Sequence, residues 1–394
     1  MPLTSSRLSR LPLFAALLLL AACAPLPQKA TPCTPCKETE PTKPAEPALQ
    51  AAQYSDLPGW QEDDLMPTFQ AFVNQCSSLQ KQALWRSSCA GARSLAETSP
   101  DSSAVRTWFE VNLQPWQLVN PDGSKSGLVT GYYEPILQGS RKYAPPYATP
   151  VFGIPDDLIV VDLGELYPDL KHMRLRGRLE GRKLVPYYSR AEWSIQEMRR
   201  TPLLWVSDPI DFFFMQIQGS GQIELDDGSR IRLNYADQNG HPYRSIGRWL
   251  IDQGEIKAEQ ASMQGIKQWA RANPKRLQEL LNTNPSLVFF RELKAEGSGP
   301  QGAMGIALTP ERSIAVDPRH TPLGSPVWLV TTQPNTDTPL QRLMLAQDTG
   351  GAIRGPVRAD FYWGSGPGAG SQAGKMKQSG RMWVLLPRDH TPTK

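Results

Sequence analysis

Two aspartates near the C-terminus, Asp348 and Asp360, stand twelve residues apart around the Gly-rich turn Asp348-Thr349-Gly350-Gly351-Ala352-Ile353. Each ends an apolar run, and Phe361, Tyr362 and Trp363 follow the second. Strand-end carboxylates can transfer protons, aromatic faces stack on sugar rings or bases, and glycines let a backbone approach a ligand. Together these residues describe a catalytic groove. The plainer reading makes Asp348 a turn cap and Asp360 a solvated loop residue, and this stretch alone leaves both open.

Four further constellations accompany it. Thr130-Gly131-Tyr132-Tyr133-Glu134-Pro135 ends a strand with aromatics and a carboxylate, and Pro135 biases Glu134 toward extended backbone. Gln216-Ile217-Gln218-Gly219-Ser220-Gly221 sets amides and a hydroxyl beside glycines, a suitable donor and acceptor set for sugar hydroxyls. Asp237 to Gly247 forms a polar turn leading into a helix, and Asp317-Pro318-Arg319-His320 supplies a third acidic site. Singly, each reads as a structural turn; their coexistence favours a site. The four histidines are scattered, with no H-x-x-x-H and no matching cysteine pair, so no metal is called for, and no cofactor is expected.

The elements that must hold these residues change in texture along the chain. Leu65, Phe69, Phe72, Val73 and Cys76 recur at helical spacing, and Ser102 or Ser103 is placed to cap a short helix through Trp108 and Phe109. Beyond Gly127, short apolar runs between Gly and Pro read as strands: Leu128 to Glu134, Leu158 to Leu163, Phe212 to Gln218 and Ile231 to Tyr235. Helical patterns occupy Arg244 to Asp252 and Ala261 to Leu281, and strands resume at Ile306. The pattern suits barrels better than a doubly wound α/β sheet. It has no repeat of fixed period.

At the other end, Arg7 and Arg10 precede an apolar run from Leu11 to Leu20, shorter than the roughly 20 residues of a spanning helix. Leu20-Ala21-Ala22-Cys23 resembles a bacterial lipobox, which implies lipid on Cys23 and, with Ala24 next, an outer-membrane anchor with the folded part in the periplasm. A plain signal peptide or an uncleaved anchor is the alternative. From Ala24 to about Ser55 the chain is rich in Pro, Thr, Lys and Glu and poor in large apolar residues, as an extended spacer is. Cys33 and Cys36 lie there with C-x-x-C spacing but without redox or metal context; Cys76 and Cys89 are available for a disulfide in an oxidising compartment. A formal charge of +4 is too small and dispersed for a nucleic-acid partner, and weakly suits an acidic wall polymer.

Taken in order, Gly131-Tyr132-Tyr133, Gln218-Gly219-Ser220-Gly221, Asn239-Gly240-His241 with Tyr243-Arg244-Ser245-Ile246-Gly247, and Gly350-Gly351-Ala352-Ile353 ending at Asp360 resemble the membrane-bound lytic murein transglycosylase A family. The resemblance spans about Gly127 to Leu386, and Asp317, Asp348 and Asp360 are similar to the residues that name the three-aspartate domain. It implies a mainly β fold with N-terminal and interdomain helices: a double-psi β-barrel interrupted by a second β-rich domain, with a groove between them for a peptidoglycan glycan strand. The implied division is a signal peptide at 1–22, lipidated cysteine and linker at 23–55, helices and the first part of the barrel at 56–135, an inserted domain at 136–290, and the rest of the barrel at 291–391.

The implied activity is that of a lytic exotransglycosylase, a lyase cutting the β-1,4 bond from N-acetylmuramic acid to N-acetylglucosamine and leaving a 1,6-anhydro ring. By the same resemblance Asp360 is the acid/base and Asp348 its orienting or electrostatic support, while Tyr132, Tyr133, Gln218, Ser220 and Asp317 bind substrate. Phe361, Tyr362 and Trp363 are placed to desolvate Asp360 and raise its pKa. A wall-synthesis complex is left open as a partner. Two other readings stand beside this one: a wall-binding lipoprotein without catalysis, and a dimeric aspartic protease built on Asp348-Thr349-Gly350.

Overall fold

A computed structural model describes residues 49–170, 173–294 and 299–392. Cys23, Cys33, Cys36 and the leader expected from the sequence fall outside these residues.

The described chain begins with β1 (Leu49–Ala51) and three helices, α1 (Met66–Leu79), α2 (Arg86–Glu97) and α3 (Ser102–Asn112). Phe69, Phe72, Cys76 and Leu79 form the buried stripe of α1, and a disulfide ties its Cys76 to Cys89 of α2. Asp101, rather than Ser102 or Ser103, caps α3 by accepting the Ala104 N–H at 2.8 Å. Strands β2 (Leu113–Leu118), β3 (Gly127–Glu134), β4 (Ile136–Ser140), β5 (Thr149–Val151), β6 (Ile159–Val160), β7 (Arg176–Glu180) and β8 (Lys183–Pro186) follow, then α4 (Arg190–Gln196) and β9 (Leu204–Val206). After α5 (Pro209–Gln218) come β10 (Ser220–Leu225) and β11 (Arg230–Gln238). Helices α6 (Ile246–Asp252), α7 (Met263–Ala272) and α8 (Leu277–Asn282) lead to β12 (Val288–Lys294). The last stretch holds β13 (Ser313–Val316), β14 (Pro326–Thr332), β15 (Pro339–Asp348), β16 (Arg358–Ser365), α9 (Gly366–Ala373) and β17 (Lys377–Pro387).

Strand pairing divides the molecule into two main β-rich parts. One sheet runs β1-β2-β17-β14-β15-β13-β16-β3, and an added β17–β3 pairing closes it. Without the appended β1 and β2, six strands form the closed ring, a barrel with β13–β15 and β16–β3 parallel. Closure leaves the ring no free hydrogen-bonding edge. The second sheet, β12-β11-β10-β4-β9-β5, has β4 and β10 parallel, and β6, β7 and β8 form a small third sheet. The chain leaves the barrel after β3 and enters the second sheet at β4, with Pro135 between them. Strand β3, met early in the sequence, pairs with β16 and β17 from its end.

Three expected strands also need correction. Phe212 to Gln218 is helical, the C-terminal part of α5, rather than a strand. Asp208 accepts N–H bonds from Ile210 and Asp211, Pro209 occupies the first turn, and Gly219 ends the helix at φ 81°. Its apolar residues face two ways: Phe212 and Met215 join the second sheet's core, while Ile210, Phe213 and Phe214 pack with α6, α7 and α8. A helix buried on both sides has no polar stripe, so its sequence reads like a buried strand. In Leu158 to Leu163 only Ile159 and Val160 are strand, and after β12 the next strand starts at Ser313, not Ile306.

The largest core lies within and beneath the barrel. Phe69, Phe72, Trp108 and Phe109 from α1 and α3 pack in one cluster with Trp328, Phe361 and Trp383 from the strands. The N-terminal helices therefore brace the barrel rather than form a separate body.

Candidate active site

Four neighbouring strands set out the site. Register places Asp348 of β15 opposite Ala315 of β13, Ala315 opposite Asp360 of β16, and Asp360 opposite Thr130 of β3. A bulge creates this alignment: Ala346 pairs with Ile314, but Asp348, not Gln347, pairs with Ala315. The displaced Gln347 is buried, accepting from Ser313 Oγ and donating to Gln75. Bulges re-aim side chains in this way, and the small Ala315 leaves room between the two carboxylates.

Each aspartate has a distinct set of partners. Asp348 Oδ1 accepts the N–H groups of Ala303 at 3.0 Å and Thr349 at 2.9 Å, while its Oδ2 accepts the Tyr132 hydroxyl at 3.1 Å. Asp360 Oδ1 accepts the Thr130 hydroxyl at 2.6 Å. Burial pushes Asp348 up to about 6 against the pull of its three donors, and the Asp360 charge adds to the rise. Burial also raises Asp360, opposed by the Thr130 hydrogen bond and the positive charge of Arg358. Alternation along β16 explains the surroundings. Phe361 and Trp363 pack with the main core, whereas Tyr362 shares the Asp360 side, its ring centroid 5.2 Å from that of Tyr132. Of the three neighbouring aromatics, Tyr362 is the one that desolvates this face.

Asp317, directly after β13, is different. Burial acts to raise it, but hydrogen bonds from Arg319 and from the Gly355 N–H at 2.8 Å outweigh that and hold it well below the usual carboxylate range. Such a group stays ionised and cannot serve as an acid near neutrality. Tyr133 is buried beside Gly370, where a Cβ would come 2.7 Å from its ring, and its N–H donates to Gln218 Oε1 at 3.0 Å. Ser220 is buried at the start of β10. Of these residues Tyr132 bonds directly to the aspartate pair, while Tyr133 and Gln218 are partners of each other and Asp317 is held by Arg319 and Gly355. Among the described residues no cluster of His, Cys, Asp and Glu is arranged to hold a metal ion.

Thr130 lay in a stretch singled out in the sequence but had no role assigned to it, and Arg358, Ala303 and Ala315 were not among the expected site residues. Thr130 carried a usable signal: it sits two residues before Tyr132 and therefore on the same face of its strand. Ala303 acts through its backbone, which side-chain identity does not reveal.

Residues 128–291 match the MltA specific insert domain and residues 312–386 match the 3D domain. The chain is 35% identical over 290 residues to the membrane-bound lytic murein transglycosylase A of Escherichia coli, covering 71% of each. It is similar in structure to MltA from Neisseria gonorrhoeae, with a TM-score of 0.77 and 38% identity over 87% of this chain and 94% of that one. E. coli MltA with bound chitohexaose gives a TM-score of 0.62 and 28% identity, over 82% of this chain and 90% of that one. Fold and site together define a 3D-domain barrel protein with a second β-rich part. The chain belongs to the membrane-bound lytic murein transglycosylase A family. That membership sets aside the aspartic-protease reading of Asp348-Thr349-Gly350.

Proposed function

We propose that the protein cleaves peptidoglycan glycan strands without water, at the β-1,4 bond from N-acetylmuramic acid to N-acetylglucosamine, and that Asp360 is its acid/base. The observation that carries this reading is the aspartate pair flanking Ala315, neither member of which is consumed by an arginine as Asp317 is. Hydrolytic glycosidases use two carboxylates, one as acid and one to activate water or attack carbon. Intramolecular attack needs fewer parts. The Asp360 carboxylic acid protonates the leaving O4 as the C1–O4 bond breaks, and the muramyl C6 hydroxyl attacks C1. The Asp360 carboxylate takes the C6 hydroxyl proton, closing the 1,6-anhydro ring and restoring the acid. Asp348, whose two oxygens accept from three donors, supports positive charge developing at C1 in its ionised form.

The glycan lies between the two β-rich parts, with Tyr132, Tyr133, Gln218, Ser220 and Asp317 shaping the wall rather than reacting. The E. coli relative with bound chitohexaose supports a sugar polymer as ligand. The curated relatives are called membrane-bound, and no helix among the described residues is long and apolar enough to cross a membrane. Attachment through lipid on Cys23, at the outer membrane facing the periplasm, accounts for both.

Product mass tests the reaction. Muropeptides released from purified peptidoglycan should be one water lighter than hydrolytic products. Asp360→Asn, which keeps the size but can neither give nor take the proton, should lower release by about 10²–10⁴-fold or more while the thermal transition and glycan binding persist. Release of hydrated ends would identify a hydrolase. An unmodified protein that binds glycan and cuts nothing would be a wall-binding lipoprotein.

A further inference from the structure

We propose that Thr130 determines which oxygen of Asp360 carries the labile proton, and that Arg358 enforces this by fixing the direction of the Thr130 hydroxyl. The inference rests on Asp360 being the acid/base. Thr130 Oγ1 lies 2.6 Å from Asp360 Oδ1 and also accepts from Arg358 Nη2 at 2.9 Å. A guanidinium only donates. Its N–H occupies a lone pair of Thr130, so the single hydroxyl proton is directed at Asp360 Oδ1.

The consequence concerns the neutral form of Asp360. A proton on Oδ1 would reverse the bond, fill both threonine lone pairs and leave the threonine proton without an acceptor among the described residues. A proton on Oδ2 keeps every donor paired. Asp360 is partly exposed, and Oδ2 has no hydrogen-bond partner among the described residues, so it is the oxygen left for substrate. One atom then serves both steps: Oδ2–H gives its proton to O4 as C1–O4 breaks, and Oδ2 receives the C6 hydroxyl proton as C6–O–C1 forms. The carboxyl need not rotate between them.

The fold builds this arrangement directly. Thr130 and Asp360 are register partners on parallel strands, and Arg358, two residues before Asp360, lies on the same side of β16. Thr130 and Arg358 are positioning residues, acting through Asp360 rather than on the glycan.

The test is the pH profile of muropeptide release by the full-length protein. Thr130→Val keeps shape but removes the donor that stabilises the Asp360 carboxylate. Its kcat should fall about 10–100-fold, within the range general acid/base catalysis supplies, with KM little changed. The descending limb of its profile should move to higher pH, since losing a donor to the charged form raises a carboxyl pKa. Thr130→Ser should restore both rate and limb. Arg358→Gln should shift the limb in the same direction, and should add little to the kcat loss once Thr130→Val is present. An unmoved limb in Thr130→Val, or failure of serine to rescue, would overturn the proposal. If Thr130→Val does not fold, the limb of Arg358→Gln decides. Asp360→Asn separates the two ideas: activity retained there defeats the acid/base assignment itself, whereas its loss beside a normal Thr130→Val profile defeats only the role of Thr130.

Discussion

Asp348 and Asp360 lie close enough to repel when both are charged, so they titrate as a pair with apparent values that belong to both. The proposed reaction requires the singly protonated pair, with the proton on Asp360 and the charge on Asp348 when the glycan reacts. Activity should therefore be bell-shaped in pH, rising as the pair loses its first proton and falling as it loses the second, and burial, which raises both carboxyls, should move both limbs above the ordinary carboxylate range. Asp348→Asn removes one titrating group and its repulsion together. The ascending limb should vanish and the descending limb should move to lower pH, because Asp360 then ionises without a negative neighbour. That is the opposite direction from the shift expected of Thr130→Val. Rate measurements on defined glycan strands from pH 4 to 9 distinguish them, and a descending limb unmoved by Asp348→Asn would show that the pair is not coupled.

The turn after β15 is the element best placed to meet substrate backbone-first. A Cβ built on Gly351 meets nothing within 4 Å, and its φ is outside the left-handed range, so the protein itself does not require glycine there. Gly351→Ala should leave the thermal transition within about 1 °C, since surface changes away from special features stay within ±0.5 kcal/mol. If the glycan crosses this turn, KM should rise with the added methyl group; an unchanged KM would place the glycan elsewhere. Turns of this kind were legible in the sequence because their residue types announce their geometry. Strand β3 was legible for a similar reason, as was the helical stripe of α1. Helix α5 was not, since burial on two sides erased its periodicity, although Asp208, Pro209 and Gly219 marked its ends. The bulge that aims Asp348 was also hidden, because register depends on which distant strands become neighbours. Both aspartates could be named from sequence, but the atoms that set their protonation come from β3 and from the backbone of Ala303.

At the scale of the whole molecule, the two β-rich parts meet at a buried charge. Glu134, the last residue of β3, is fully buried and accepts from Arg232 Nε of β11 at 2.6 Å, from Gln222 Nε2 of β10 at 2.8 Å, and from Ser365 Oγ of β16 at 2.6 Å. One carboxylate thus joins the strand that carries Thr130, the strand that carries Asp360 and two strands of the second sheet. Buried pairs contribute little net stability over apolar residues of similar volume, because desolvation offsets the attraction, but breaking one strands an unpaired charge. Arg232→Met should therefore lower the unfolding free energy by about 3–5 kcal/mol. The double variant Glu134→Met with Arg232→Met should recover most of that loss. Recovery of stability need not bring back activity, since an apolar contact supplies no directional bond to Ser365 and so no fixed register between β16 and the second sheet. Denaturant unfolding and muropeptide release should accordingly separate in the double variant, with a near-normal midpoint and a reduced kcat. If Arg232→Met costs less than about 1 kcal/mol, the cost expected of an exposed pair, the junction does not behave as a buried one; if the double variant is fully active, alignment of the two parts does not depend on this carboxylate.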